Sequence, residues 1–149
     1  MRCFVENINE VSRVLEDDSV FIPVNGHPIP ENQKGFITKE LLENGKIVVL
    51  MPNEYSVFIF LPHSHELYAG HSAILPEGRG RAGIRAGKAA AKWMFENTRC
   101  IKIFGLTPIF LKHVIAYNKL LGFVQEGIST NSCIKDGVLY DQVLFGLSK

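Results

Sequence analysis

Apolar residues recur along the chain with two different periods. In the first third, Ile8, Val11 and Leu15 lie at helical spacing, which predicts a short helix over residues 7–16. Thr38 opens a second helical pattern that stops at Gly45, so we expect Thr38 to cap that helix. Later runs rich in β-branched and aromatic residues predict three strands, over residues 46–51, 55–61 and 67–75.

The second half of the chain alternates helices with strands. A turn rich in glycine and arginine at residues 78–83 leads into a predicted helix over 84–96, which has a polar stripe opposite apolar positions. Residues 100–106 predict a buried strand. Thr107-Pro108 then starts a helix that Gly122 ends, and Asp136-Gly137 predicts a hairpin between two final strands. This order predicts an α/β (α+β) fold with a mixed, mostly antiparallel sheet flanked by helices.

Composition and charge exclude several classes of protein. The 149 residues fit one domain over 1–149, and the net charge of +1 provides no long-range attraction to nucleic acid or to a membrane. The longest apolar run, residues 57–61, is too short to span a bilayer. The three cysteines are widely separated, and the first residues lack the apolar run of a signal peptide. We therefore expect a reducing cytoplasm as the location.

The glycine- and arginine-rich turn is the strongest candidate for ligand chemistry. It lies between a strand and a helix, where unpaired N–H groups and the helix dipole favour phosphate, and Arg79, Arg81 and Arg85 add positive charge. A solvated basic turn explains the turn alone equally well.

Two nucleotide-binding motifs are excluded here by their context. Gly78, Gly80 and Gly83 satisfy GxGxxG, but no acidic residue ends the next strand as a dinucleotide site requires. A Walker A loop is excluded because Ala89 stands where a hydroxyl residue would bind magnesium.

The stretch Leu-Pro-Glu-Gly-Arg-Gly-Arg at 75–81 resembles the hydrophobic-Pro-Glu-x-Arg-Gly-x-Gly-x-Gly signature of the GNAT superfamily of N-acetyltransferases. The stretch Ala-Tyr-Asn-Lys-Leu-Leu-Gly-Phe-Val-Gln-Glu-Gly at 116–127 is similar to the second block of that family. The chain is also similar to a GNAT-like subgroup of tailed phages, one of which is a head-assembly protein. In that subgroup ILPE-x-RG and a closing YDQVLFGL recur, as they do at 74–80 and 140–147.

The resemblance implies an enzyme that moves acetyl from acetyl-CoA directly to a small-molecule or peptide amine, without a metal. The acyl-CoA would lie in a splay between central strands that opens after Leu75. The alternative is an inactive module that assembles with phage structural proteins, in the cytoplasm of a bacterial host. The positions that would bind the cofactor are Ala73, Ile74, Leu75, Arg79, Gly80, Arg81, Ala82, Gly83, Ile84 and Asn118.

This sequence departs from the family pattern at several positions. Ala82 stands at the glycine of the R-x-x-G-x-G/A pattern that begins at Arg79, Ile84 stands where glycine or alanine is preferred, and one glycine, Gly83, is displaced. Asn118 stands where many members place the tyrosine that protonates the leaving thiolate, and Tyr117 is shifted by one residue.

Acid–base candidates follow from the strand before the turn and from the last helix. The family's usual base positions fall on Tyr68 and Gly70, which are not bases, so Glu66 and His71 are the candidates. A solvated strand end is the alternative for Glu66, and a hydrogen-bonded histidine is the alternative for His71. His71 has the opposite strand parity and needs a bulge to join Tyr68 and Gly70. Tyr117 is the candidate acid, with helix packing as its alternative.

Two further patterns complete the set of predictions. His63-Ser-His65-Glu66 has ligand-type residues, but no second His/Cys pair is near in sequence, so we expect no metal. Residues 138–147 form a strand that is apolar on both faces, which predicts either burial within the domain or a homodimer through the hairpin.

Overall fold

The computed structural model of the protein describes residues 7–43 and 45–149, without the side chains of residues 36 and 37. In chain order the elements are α1 (Ile8–Leu15), α2 (Asp18–Asn25), α3 (Phe36–Glu43), β1 (Val48–Asn53), β2 (Ser56–Pro62), β3 (Leu67–Ile74), α4 (Arg81–Asn97), β4 (Lys102–Pro108), α5 (Lys112–Leu121), β5 (Val124–Lys135) and β6 (Val138–Ser148). Short 3-10 turns lie at Glu31–Gln33 and Pro76–Gly78. Cys3 lies outside the described residues. Within them, no helix has the length and apolar character to span a membrane.

The six strands form one sheet in the order β1-β2-β3-β4-β6-β5. Neighbouring strands are antiparallel except for β3 and β4, which are parallel. The helices cover both faces of the sheet. The predicted fold class, a mixed and mostly antiparallel sheet flanked by helices, is therefore confirmed.

Two apolar cores lie on opposite faces of the sheet because strand side chains alternate between faces. On one face of the sheet, Val49, Val57 and Ile59 point towards α1 and α3. They pack there against Val11 and Val14 of α1. The strand residues that face α4 pack on its small and flexible side chains, and this core contains Leu50, Phe58, Phe60, Ala86, Ala90, Met94 and Ile103. Complete burial of a side chain such as Leu50 stabilises the fold by about 1.5–3 kcal/mol.

The parallel strands β3 and β4 stay together only at their first residues. Leu67, Tyr68 and Ala69 pair with β4, and beyond Ala69 the strands separate. The predicted splay is therefore present but opens after Ala69 instead of after Leu75. The reason is that β4 keeps its pairing with β6 through Pro108 while β3 keeps its pairing with β2 through Ile74.

The helix α2 was missed by the sequence analysis. Pro23 lies inside it, and an internal proline argues against a helix because it lacks a backbone N–H. The ends of the helix are nevertheless well formed. The side chain of Asp17 accepts a hydrogen bond from the Ser19 N–H, and Gly26 ends the helix with φ of 82°.

Three helix starts differ from those predicted. Thr38 does not cap α3 but lies inside it, where its buried hydroxyl donates to the Glu16 carboxylate at 2.6 Å. The helix α4 begins at Arg81 rather than at residue 84, and α5 begins at Lys112 rather than at Thr107 because β4 continues through Pro108.

The predicted helix end at Gly122 and the predicted hairpin turn at Asp136-Gly137 are both confirmed. Gly122 ends α5 with φ of 98°, in the left-handed region. Asp136 and Gly137 both have positive φ, 50° and 75°, which is the geometry of a two-residue hairpin turn.

Candidate functional site

One cleft follows the gap between β3 and β4, and it has two sections. The outer section, about 430 Å³, is bordered by the turn at residues 79–80, by α2 and by α5. The inner section, about 220 Å³, lies deeper in the splay, between the strands and the helices α4 and α5. Ser72, Leu111, Val114, Tyr117 and Val24 border both sections, so the sections are continuous.

The turn between β3 and α4 presents backbone N–H groups to the outer section. Gly80 stands before α4 with φ of 70° and ψ of −138°, a conformation that only glycine adopts readily. The first bond of the helix runs from the Ile84 N–H to the Gly80 carbonyl, so the N–H groups of Arg81, Ala82 and Gly83 precede any intrahelical acceptor. Together with the helix dipole they form an anion-binding end.

The displaced glycine, Gly83, has a packing role. A Cβ placed on it would lie 2.9 Å from the Gly78 carbonyl oxygen, so a larger residue would push the turn away from the helix. A glycine at position 83 therefore allows the turn and the helix to pack closely together.

The guanidinium of Arg79 is already engaged with the protein. Its Nε donates to the Ile74 carbonyl at 3.3 Å, and its Nη2 donates to the Ser19 carbonyl at 3.1 Å. A guanidinium has five N–H donors, so Arg79 keeps donors for an anion at the turn while it holds α2.

The open edge of β3 belongs to the even-numbered residues. The Leu75 N–H donates to the Tyr55 carbonyl, so Leu75 and Tyr55 form a hydrogen-bonded pair. Hydrogen-bonded pairs recur every second residue in an antiparallel ladder, so Ala73 and Val57 form the next such pair between β3 and β2. The N–H groups of Ser72 and Ile74 therefore point towards the splay.

This register corrects the prediction that the backbones of Ala73 and Leu75 are available to a cofactor. Both residues direct their N–H groups to β2, and Leu75 is buried in the core. The residues at the open edge are Ser72 and Ile74, of which the sequence analysis named only Ile74.

The two base candidates lie in different places. Glu66 is exposed before the start of β3 and does not border the cleft, and its backbone carbonyl accepts from the Ile101 and Lys102 N–H groups. His71 borders the inner section. The β2–β3 register is continuous, so no bulge turns His71 towards the cleft. His71 reaches the cleft because the splay between β3 and β4 opens the sheet from one face to the other.

The imidazole of His71 has solvent on its cleft side and protein around the rest. Desolvation by this surrounding protein lowers its pKa below the usual 6.5. The ring is therefore neutral at pH 7, which is the form that accepts a proton.

The hydroxyl of Tyr117 is used inside the protein. It donates to the Gly83 carbonyl at 2.9 Å and so links α5 to the first turn of α4. A Cβ on Gly87 would overlap this hydroxyl and would lie 2.8 Å from the methyl groups of Leu121. Burial raises the pKa of Tyr117 well above its usual value of 10.

Asn118, at the position where the resemblance predicts a tyrosine, borders the inner section. Its side-chain amide donates to the hydroxyl of Thr107 at 3.0 Å, and both residues border the section. An amide donates hydrogen bonds but does not release a proton at neutral pH, so Asn118 has donors for a ligand but cannot act as an acid.

The structure brings most of the predicted site residues to the cleft, and it adds some that the sequence analysis missed. The predicted residues on its walls are His71, Ala73, Ile74, Arg79, Gly80, Gly83, Ile84, Tyr117 and Asn118. Residues missed by the sequence analysis are Ser72, Gly87, Thr107 and those of α2. Of these residues, only Pro23 could have been noticed in the sequence. A proline has no N–H, so inside a helix it leaves the carbonyl four residues earlier without its usual partner.

The histidine-rich segment before β3 has a packing contact. The ring of His63 lies edge-to-face against Phe104, with centroids 5.8 Å apart.

Sequence comparison identifies no relative: no protein-family model and no curated protein matches the chain. Solved structures do match over nearly its whole length. A GNAT-family acetyltransferase from Bacillus anthracis has a TM-score of 0.76 at 14% identity, over 99% of this chain and 92% of that one. A mutant of the spermidine N-acetyltransferase SpeG from Vibrio cholerae has a TM-score of 0.73 at 12% identity, over 99% and 93%. The microcin C7 self-immunity acetyltransferase MccE, solved with acetyl-CoA and AMP, has a TM-score of 0.71 at 15% identity, over 95% and 87%. The chain therefore has the fold of the GNAT acetyltransferases.

Proposed function

We propose that this protein is an N-acetyltransferase that moves acetyl from acetyl-CoA directly to an amine. The observation that carries the proposal is the cleft itself, which joins an anion-binding helix end to an open strand edge and then to a neutral histidine. The similar fold of MccE, which was solved with acetyl-CoA, supports the choice of cofactor.

The diphosphate of acetyl-CoA would bind at the turn. The N–H groups of Arg81, Ala82 and Gly83 donate to its oxygens, and the remaining donors of Arg79 add charge-assisted bonds. The amide groups of the pantetheine arm would pair with the open edge of β3 at Ser72 and Ile74, as an added strand does.

His71 would act as the general base. It takes a proton from the acceptor ammonium, and the amine nitrogen then attacks the thioester carbonyl. A C–N bond forms, the C–S bond breaks, and the thiolate leaves. Asn118 and Thr107 stabilise the thiolate by hydrogen bonding, and the second proton of the attacking nitrogen passes through water to the thiolate.

Direct transfer fits the positions of the thiols. Cys100 is buried, and burial raises the pKa of its thiol. Neither Cys100 nor Cys133 borders the cleft, so residues 7–43 and 45–149 place no thiol for a covalent acetyl intermediate.

Cofactor binding is tested by calorimetry with acetyl-CoA and the variant Gly80→Ala. The variant forces a Cβ onto a glycine-only backbone and moves the turn amides, so we expect affinity to fall about tenfold or more, or about 1.4 kcal/mol. Gly137→Ala is the matched control, because Gly137 also has positive φ (75°) but lies in the hairpin turn. Absence of heat from the unmodified protein at millimolar acetyl-CoA contradicts the proposal.

Two observations favour a second function, an inactive GNAT-fold module that assembles with other proteins. The Tyr117 hydroxyl donates to Gly83, and Asn118 replaces the usual acid. The likeness to tailed-phage assembly proteins stays a prediction from the sequence. Thiol release from acetyl-CoA with a panel of amines separates the two functions, since the inactive module binds acetyl-CoA or ignores it but releases no thiol.

A further inference from the structure

The cleft passes through the sheet and has a different wall on each side. Ile103 and Thr107 of β4 face α4 and α5. By strand alternation Leu106 faces the other way, towards α2, and so does His71 on β3. If the diphosphate occupies the turn, the amine acceptor reaches His71 from the α2 side. This assignment rests on the proposed function.

The wall on the α2 side is apolar. Val20, Pro23 and Val24 of α2 border the cleft, and Val24 reaches both of its sections. Val24 and Leu106 border the inner section together with His71, and they are 45% and 46% exposed, so apolar surface is available to a ligand there. The Ser19 carbonyl on the same wall is already engaged by Arg79.

The described walls of the cleft have basic side chains but no carboxylates. The titratable side chains that border its two sections are His71, Arg79, His113 and Tyr117, and none of the lining residues in the described part of the chain is a carboxylate. A polyamine keeps further ammonium groups after one amine has entered. Each such group would leave water against these walls without a carboxylate partner, which is unfavourable.

We infer that the acceptor is a monoamine on an uncharged, apolar body, and that Val24 determines this specificity. The amine meets the neutral His71, and the apolar body covers Val20, Val24 and Leu106. The similarity in fold to a spermidine N-acetyltransferase does not extend to the acceptor, because a polyamine would find no counter-charge on these walls.

The test is calorimetry of amines with the protein saturated with CoA, using hexylamine and hexamethylenediamine. These probes have the same chain and differ in one terminal ammonium. We expect hexylamine to bind about tenfold more tightly than the diamine. Val24→Asp adds a carboxylate to the wall, and we expect it to reverse this preference. Val24→Asn introduces a side chain of the same shape as aspartate without the charge, and we expect it still to bind hexylamine more tightly than the diamine. Val138→Asp, on a hairpin valine that is 51% exposed and lies outside the cleft, leaves the preference unchanged.

Each outcome has a defined meaning. A diamine that binds as tightly as hexylamine overturns the inference, and so does a CoA-loaded protein that binds neither amine. A protein that fails to bind CoA contradicts the proposed function instead, which the first titration of the series already reveals. A Val24→Asp variant that leaves the preference for hexylamine intact removes Val24 from the specificity wall.

Discussion

The guanidinium of Arg79 donates a hydrogen bond to the carbonyl of Ser19, with 3.1 Å between Nη2 and the oxygen. In a regular helix this carbonyl would accept from the N–H of residue 23, but that residue is Pro23 and has no N–H. Arg79 therefore replaces a missing helical bond and ties α2 to the phosphate turn. One wall of the cleft is thereby held by the same side chain that faces the proposed cofactor.

We predict that Arg79→Gln loosens α2. The variant loses a charge-assisted bond that is partly screened by solvent, so local protection of the amides of Ile22, Val24 and Asn25 should fall by about 1 kcal/mol, measured by hydrogen exchange. Pro23→Ala restores an N–H for the Ser19 carbonyl, so Arg79→Gln should cost clearly less in that background. Arg85→Gln, on the exposed side of α4, is the control. Equal costs in both backgrounds would refute the role of Pro23.

We predict that Tyr117→Phe affects stability more than catalysis. It removes the bond to the Gly83 carbonyl, so the free energy of unfolding should fall by about 1 kcal/mol in a urea titration. The rate of thiol release should stay within about threefold, whereas loss of a general acid costs about 10²–10⁴-fold. Gly87→Ala, which forces Tyr117 and Leu121 outward, should also destabilise the protein. A large rate loss at unchanged stability would instead identify Tyr117 as the acid.

We predict that His71 sets the acidic limb of both stability and activity. Its folded pKa lies below 6.5, so the unfolded state binds more protons as the pH falls through this window. The contribution of His71 to stability is full above about pH 6.5 and is lost as the pH falls through the lowered folded pKa. His71→Gln should flatten this part of the stability curve and abolish the acidic limb of the rate profile. His65→Gln, at an exposed position outside the cleft, is the control, and identical curves for both variants would contradict the prediction.

A homodimer through the C-terminal hairpin stays a prediction. Ile134 and Leu139 are a cross-strand pair, and they are 68% and 55% exposed, so apolar surface remains uncovered near the tip. Light scattering should give a dimer mass, and replacing both residues with lysine should give a monomer. Ile101→Lys, at an apolar site 56% exposed outside the hairpin, should leave the mass unchanged. A monomer mass for the unmodified protein at every concentration would end this prediction.

The elements with strong local signals could be predicted from the sequence. Gly122 and Asp136-Gly137 dictate their backbone conformations by themselves, and the strand before the turn and the helix after it follow from short-range patterns. The resemblance at residues 75–81 drew attention to a turn that borders the cleft for the same reason, since the glycine that precedes the helix and the amides that follow it are consecutive in the chain. These features depend on neighbours along the chain, and a sequence displays such neighbours directly.

Three properties of the site were decided only by the tertiary structure. The side of β3 that is open depends on which residues bond to β2, and a shift of one residue exchanges Ala73 and Leu75 for Ser72 and Ile74. The partner of the Tyr117 hydroxyl depends on how closely α4 and α5 pack at Gly87. The helix α2 exists although Pro23 weakens it, because Arg79, distant in sequence, supplies the missing donor. Each depends on atoms that come together only when distant segments pack, so no local pattern contains it.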